Sequence, residues 1–139
     1  MKIKETPLKD CYIIEPTYGV LRGLHLQKGE YAQAKLVSCL EGKVFDVAVD
    51  LREDSPTFGQ WFGIELTPEN KLQLYVPRGF GHGFSVLSET AVFSYKCDNF
   101  YQKDAEGSVI YNDPELNIDW KLPADAIILS EKDGKLPTF

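Results

Sequence analysis

The sequence is poor in the residues on which most metal and nucleophile chemistry depends. It holds two histidines, His25 and His82, 57 positions apart and in no H-x-H or H-E-x-x-H pairing, so its spacing supports no metal site. The three cysteines, Cys11, Cys39 and Cys97, are odd in number and have no C-x-x-C spacing. That excludes a disulfide framework and a zinc site of the usual pattern, and it fits a reducing compartment. None of the three has a local setting that would lower a thiol pKa. There is no G-x-S-x-G and no phosphate-cradling glycine loop. Basic residues are outnumbered, 15 Lys and Arg against 21 Asp and Glu, for a net charge of −6 without any Lys/Arg block. Nucleic acid is therefore excluded as a partner, while an anionic small molecule is not, because a few placed cations serve a pocket whatever the net charge. No apolar run reaches membrane-spanning length, and Met1–Glu5 lacks the apolar core of a signal peptide. These absences describe a soluble cytoplasmic protein. Repeats, linkers and low-complexity segments are missing too.

What remains is a chain of 139 residues, 43% hydrophobic and 12% aromatic. It reads as one domain over residues 1–139, large enough to bury roughly two-thirds of its unfolded surface. Strand-like runs follow one another at close spacing: Cys11–Ile14, Gly19–His25, Ala32–Leu40, Lys43–Leu51, Trp61–Leu66, Leu72–Val76, Gly83–Leu87 and Ala91–Lys96. Glu41–Gly42 between two of them predicts a hairpin. In the second of that pair Phe45, Val47 and Val49 alternate with Asp46, Ala48 and Asp50, the pattern of a half-buried strand. Only Ala124–Lys132 is expected to hold a short helix. Short strands punctuated by Gly and Pro turns predict an antiparallel sandwich or barrel, with a ligand site in its mouth.

Two stretches stand out, Gly19–Val20–Leu21–Arg22–Gly23–Leu24–His25 and Phe80–Gly81–His82–Gly83–Phe84. A lone histidine on an apolar strand is commonly a satisfied core residue, but both of these have glycines beside them that leave room for close approach. Strict alternation would send Arg22 and His25 to opposite faces, so a shared pocket requires a kink, expected at Gly23. Lys35 is either a lysine snorkelling from an edge strand or a cation placed to stabilise negative charge on an oxygen. Tyr95 is either a core aromatic or a general acid. Asp133 follows Ser130 by three, as in a capping box, or orients a histidine base.

The order of motifs resembles that of the dTDP-4-dehydrorhamnose 3,5-epimerase family. The resemblance rests on Gly19–His25, Ala32–Val37, Gly42–Asp50, Ser55–Gly59, Pro77–Phe84 and Asn112–Pro114, and runs from Gly19 to about Pro137. It implies an all-β cupin jelly-roll barrel (the double-stranded β-helix), a homodimer without metal or other cofactor, and a nucleotide-linked 4-keto-6-deoxy sugar as substrate in deoxysugar biosynthesis. It further implies His25 as base with Asp133 as partner, Lys35 at the enolate oxygen, and Tyr95 as proton donor from the opposite face. By the same resemblance His82 lines the pocket, Arg22 and Lys132 lie near the diphosphate, and Tyr101 lies near the nucleotide and sugar. Family members carry a long segment with nucleotide-reaching motifs where this chain has only Thr17 and Tyr18. Two other readings stand beside the epimerase: a cupin 3,4-ketoisomerase, which fits the two histidine stretches less well, and a non-catalytic sugar-nucleotide-binding cupin.

Overall fold

The computed structural model describes residues 8–139. Its strands are β1 (Asp10–Ile14), β2 (Leu21–Gln27), β3 (Lys35–Glu41), β4 (Val44–Asp50), β5 (Trp61–Leu66), β6 (Gln73–Val76), β7 (Phe80–Val86), β8 (Val92–Cys97) and β9 (Glu106–Ser108). They form two antiparallel sheets, one ordered β1-β8-β3-β6 and the other β5-β4-β7-β2-β9. The architecture is the all-β jelly roll that the sequence led us to expect. Apolar side chains of both sheets meet between them, among them Val37, Val44, Val76, Phe84, Val86 and Phe93. Burial of such side chains is the main force holding the sheets face to face.

Three expectations are corrected. The runs on either side of Gly42 do not pair as a hairpin: β3 pairs with β6 and β8, while β4 pairs with β5 and β7. Gly42, at φ 82°, turns the chain from one sheet to the other, and a Cβ there would meet the Thr90 carbonyl oxygen. Strand β4 is not half-buried but buried along its whole length. Phe45, Val47 and Val49 pack on the outer side of their sheet beneath the C-terminal segment, including Leu116 and Trp120. Val44, Asp46, Ala48 and Asp50 therefore face the other way, and both aspartates are fully buried. Finally, Ala124–Lys132 forms no α-helix. It contains a single 3-10 turn, Ala124–Ala126, and a bridge of Ile128 to Val20, with a second 3-10 turn at Asp133–Lys135.

The link from β1 to β2 is short and pinned. Thr17 bridges Thr90, the Tyr18 N–H donates to the Glu89 carbonyl at 2.9 Å, and the Ala91 N–H donates to the Pro16 carbonyl at 3.0 Å. Strand β2 then breaks its register against β7 between Arg22 and His25. Gly23 sits in this irregularity at φ 122°, and a Cβ on it would lie 2.6 Å from the Gly83 Cα. Only glycine combines that dihedral with so close a backbone approach.

Candidate active site

The irregularity in β2 has a direct consequence for the site. Arg22 and His25, which regular alternation would separate, line one cavity of about 320 Å³ together with Lys35, His82 and Tyr95. A second cavity of about 360 Å³ shares His25, Lys35 and Tyr95 and adds Tyr12, Gln27, Gln33, Tyr101 and Glu106. The shared residues make the two cavities lobes of one site. Its walls come from different sheets: His25 and His82 stand on β2 and β7, Lys35 and Tyr95 on β3 and β8.

His25 Nε2 lies 2.6 Å from Asp133 Oδ1, and the Gly23 N–H donates to Asp133 Oδ2 at 3.1 Å. Asp133 is 2% exposed. Burial works against its charge, but the His25 bond and charge, the Gly23 N–H and nearby Arg22 together hold its carboxyl below the usual range. The stretch makes one half of a cap: the Asp133 N–H donates to Ser130 Oγ at 3.1 Å, and the carboxylate turns to the histidine instead of back to Ser130. In the tautomer that donates Nε2–H to Asp133, His25 Nδ1 keeps the lone pair, and it has no partner among the described residues.

A second histidine–aspartate pair lies deeper. His82 Nε2 is 2.6 Å from Asp46 Oδ1, with the two side chains 7% and 0% exposed. Asp46 escaped the sequence reading because an aspartate alternating with valines looks like a solvent-facing residue. Burial pushes the Lys35 ammonium below the ordinary lysine range, offset in part by neighbouring negative groups including Asp46 and Glu106. Its Nζ lies 5.8 Å from the Tyr95 ring centroid. Burial likewise raises the Tyr95 phenol, so it carries its proton at neutral pH. Tyr95 stacks on Tyr12, its cross-strand partner, with centroids 5.1 Å apart. Tyr12 is also new relative to the sequence reading; its hydroxyl donates to Asp10 at 2.6 Å, and that bond pushes its pKa up to about 12.

Tyr101 and Lys132, also singled out in the sequence, lie at the exposed rim. Tyr101 donates to Glu106 Oε1 at 2.8 Å, and Lys132 Nζ donates to Glu106 Oε2 at 2.7 Å. Lys132 lines neither lobe itself and meets the site through Glu106, which the sequence reading missed. Arg22 turns its Nη1 to the Leu21 carbonyl at 3.1 Å while lining the smaller lobe. Among the described residues no group of three or more His, Cys, Asp or Glu is placed to hold a metal ion.

Two sheets closing on a cavity in which a histidine paired to a carboxylate faces a lysine and a phenol define a cupin-type barrel with titratable groups on both walls. Comparison with known proteins narrows this further. The profile of the dTDP-4-dehydrorhamnose 3,5-epimerase family matches residues 2–139, and the chain belongs to that family. Relatives of that name include the Pseudomonas aeruginosa protein, 59% identical over 121 residues, which are 87% of this chain and 66% of the relative. The Salmonella typhimurium protein is 55% identical over 121 residues, 85% of this chain and 64% of its own length. This chain thus spans less than two thirds of these relatives. The crystal structure of dTDP-4-dehydrorhamnose 3,5-epimerase from Elizabethkingia anophelis superposes with a TM-score of 0.94 at 68% identity, covering 96% of this chain and 73% of that one. A Legionella pneumophila epimerase solved in complex with dTDP-4-keto-L-rhamnose gives a TM-score of 0.91 at 49% identity, covering 96% and 70%.

Proposed function

We propose that the protein is an epimerase that inverts C3, C5 or both in a nucleoside-diphosphate 4-keto-6-deoxy sugar. One observation carries this reading: the His25–Asp133 pair and the Lys35–Tyr95 pair enter one cavity from opposing sheets. The hydrogens on C3 and C5 are acidic because they flank the C4 ketone. His25 takes one of them from one face of the ring. Asp133, kept ionised, fixes the histidine tautomer and stabilises the imidazolium that forms. The resulting enolate oxygen is stabilised by the Lys35 ammonium, with His82 held beside it by Asp46. Tyr95, protonated at neutral pH and standing on the other sheet, returns a proton to the opposite face and so inverts the centre.

The rim supports the substrate class. Arg22 and Lys132 supply cations for a diphosphate, and Tyr101 offers a ring for the nucleotide. The molecule bound in the Legionella complex, a dTDP-linked keto sugar, has this chemistry. A homodimer belongs to the same proposal, supported by the exposed apolar residues Ile13 and Tyr75 on the outer face of the β1-β8-β3-β6 sheet. A cytoplasmic location belongs to the same proposal and is supported by three free thiols. The test is incubation of the protein with the dTDP-linked 4-keto-6-deoxy sugar in deuterated water, followed by NMR at C3 and C5. Deuterium at either carbon with a change of configuration is the expected result. Complete retention of both protons refutes the reading.

A further inference from the structure

We propose that Gln27 is a positioning residue for the substrate, acting through Tyr101, which it holds from the wall of the larger lobe. The inference rests on the reading of Tyr101 as a binding aromatic. Tyr101 is 55% exposed, lies in a loop outside the strands, and presents its ring at the larger lobe. An exposed aromatic on a loop is ordinarily free to sample several orientations, and ordering it on binding costs affinity. Here the loop is fixed at the residues on either side. Gln27 is 5% exposed, and its side-chain amide donates to the Phe100 carbonyl at 3.0 Å and to the Tyr31 carbonyl at 2.8 Å. Its side-chain oxygen accepts the Gln102 N–H at 2.8 Å. The two backbone groups that flank Tyr101 are thus held by one buried side chain.

The far end of Tyr101 is held by the same framework. Its hydroxyl bonds to Glu106, and Glu106 is the direct ladder partner of Gln27 between β9 and β2. One β-ladder therefore fixes both the backbone and the hydroxyl of Tyr101 while leaving its ring exposed. Gln33 and Asn99 add to this clamp: Gln33 donates to the Asn99 carbonyl at 2.9 Å, and the Asn99 amide donates to the Glu30 carbonyl at 2.9 Å. Those bonds tie the loop to the segment before β3, and Asn99 Oδ1 also accepts the Phe100 N–H at 2.9 Å; the Phe100 carbonyl and the Gln102 N–H, the backbone groups on either side of Tyr101, are left to Gln27. A pre-set ring is what a stacking surface for a planar base requires, since the ordering has been done on folding.

The test uses Gln27→Met, which keeps length and burial but makes none of the three bonds, and Gln27→Glu, which keeps only an acceptor for the Gln102 N–H. Hydrogen exchange of the amides of residues 99–103 is measured in the ligand-free protein, and binding of thymidine diphosphate by calorimetry. In Gln27→Met the loop amides should exchange at least about tenfold faster, and thymidine diphosphate should bind about tenfold more weakly. With sugar substrate, KM should rise by a similar factor while kcat stays within about threefold. In a Tyr101→Ala background Gln27→Met should cause no further loss of binding, because the pathway is already cut. If Gln27→Met does not fold, Gln27→Glu should show the same pattern at smaller amplitude. Unchanged loop exchange, a fall in kcat at constant KM, or additive losses in the double variant would each overturn the inference. A wild-type protein that binds thymidine diphosphate yet exchanges no ring proton refutes the epimerase reading alone, and the calorimetric comparison still decides the role of Gln27. A wild-type protein that does not bind thymidine diphosphate overturns the role given to Tyr101 and Gln27.

Discussion

Asp133→Asn keeps the shape of a buried side chain and changes only its charge and one acceptor. The carboxylate accepts two bonds, from His25 at 2.6 Å and from the Gly23 N–H at 3.1 Å. An amide offers one oxygen, so one donor loses its partner or the NH2 group meets another donor. Leaving one buried group unsatisfied costs about 1–3 kcal/mol. For a chain of this size that lowers Tm by roughly 4–12 °C, at about 4 °C per kcal/mol. The effect depends on pH in a defined direction. The Asp133 carboxyl titrates below its unfolded value of 3.8, so its charge adds stability that is complete above about pH 5 and is lost as the pH falls through the folded value. The asparagine variant lacks that contribution at every pH. The stability gap between the two proteins should therefore narrow as the pH falls below about 4. In activity, an amide imposes the wrong tautomer on the base, and loss of a comparable partner costs on the order of 10⁴-fold. Proton exchange at C3 and C5 should thus fall by about 10³–10⁴-fold, read by NMR in deuterated water, with the protein still folded by circular dichroism. An exchange rate within threefold of wild type would refute the role given to Asp133.

Lys35→Ala should slow exchange and inversion together by about 10²–10³-fold, and Lys35→Arg should not restore them because a planar fork does not replace a compact ammonium; equal rates in all three proteins would exclude Lys35 from the enolate site. Asp46→Ala breaks a pair whose side chains are 0% and 7% exposed and should destabilise the fold by about 3–5 kcal/mol in urea unfolding; a loss under 1 kcal/mol would show that the pair carries no buried charge. Light scattering at micromolar concentration should give twice the chain mass, and a purely monomeric solution would contradict the proposed dimer.

The parts of this fold that could be read from the sequence were those set by local pattern. Alternating apolar residues and Gly/Pro punctuation marked β4 to β8 to within a few residues, and Gly23 announced the break in β2. Pairing was not legible. The Gly42 turn has the composition of a hairpin, yet its conformation serves a crossing between sheets, and the strands that receive β4 lie some distance along the chain. Burial of polar residues was hidden for a similar reason. Asp46 and Asp50 alternate with valines as surface residues do; what marks them as interior is a partner, His82 for one and the Arg52–Ser55–Thr57 cluster for the other. His25 and Lys35 were visible because they belong to motifs of known order, and Tyr95 and Asp133 because the family resemblance spans the stretches that hold them. Tyr12, Gln27 and Glu106 were not, since their place at the cavity follows from strand register and loop closure rather than from any local signature.

The central claim is that base and acid act from opposing walls, and it is tested most directly by separating exchange from inversion. In deuterated water with the keto-sugar nucleotide, wild type should incorporate deuterium at C3 or C5 and invert the labelled centre. His25→Ala should do neither, because the base that removes the proton is gone and His82, on the same wall, is bonded to Asp46. Tyr95→Phe keeps the stacked ring and removes the hydroxyl, so it should still incorporate deuterium while inversion falls by at least about tenfold. His25→Ala with near-normal exchange, or Tyr95→Phe losing exchange and inversion in equal measure, would contradict the assignment of base and acid to the two walls.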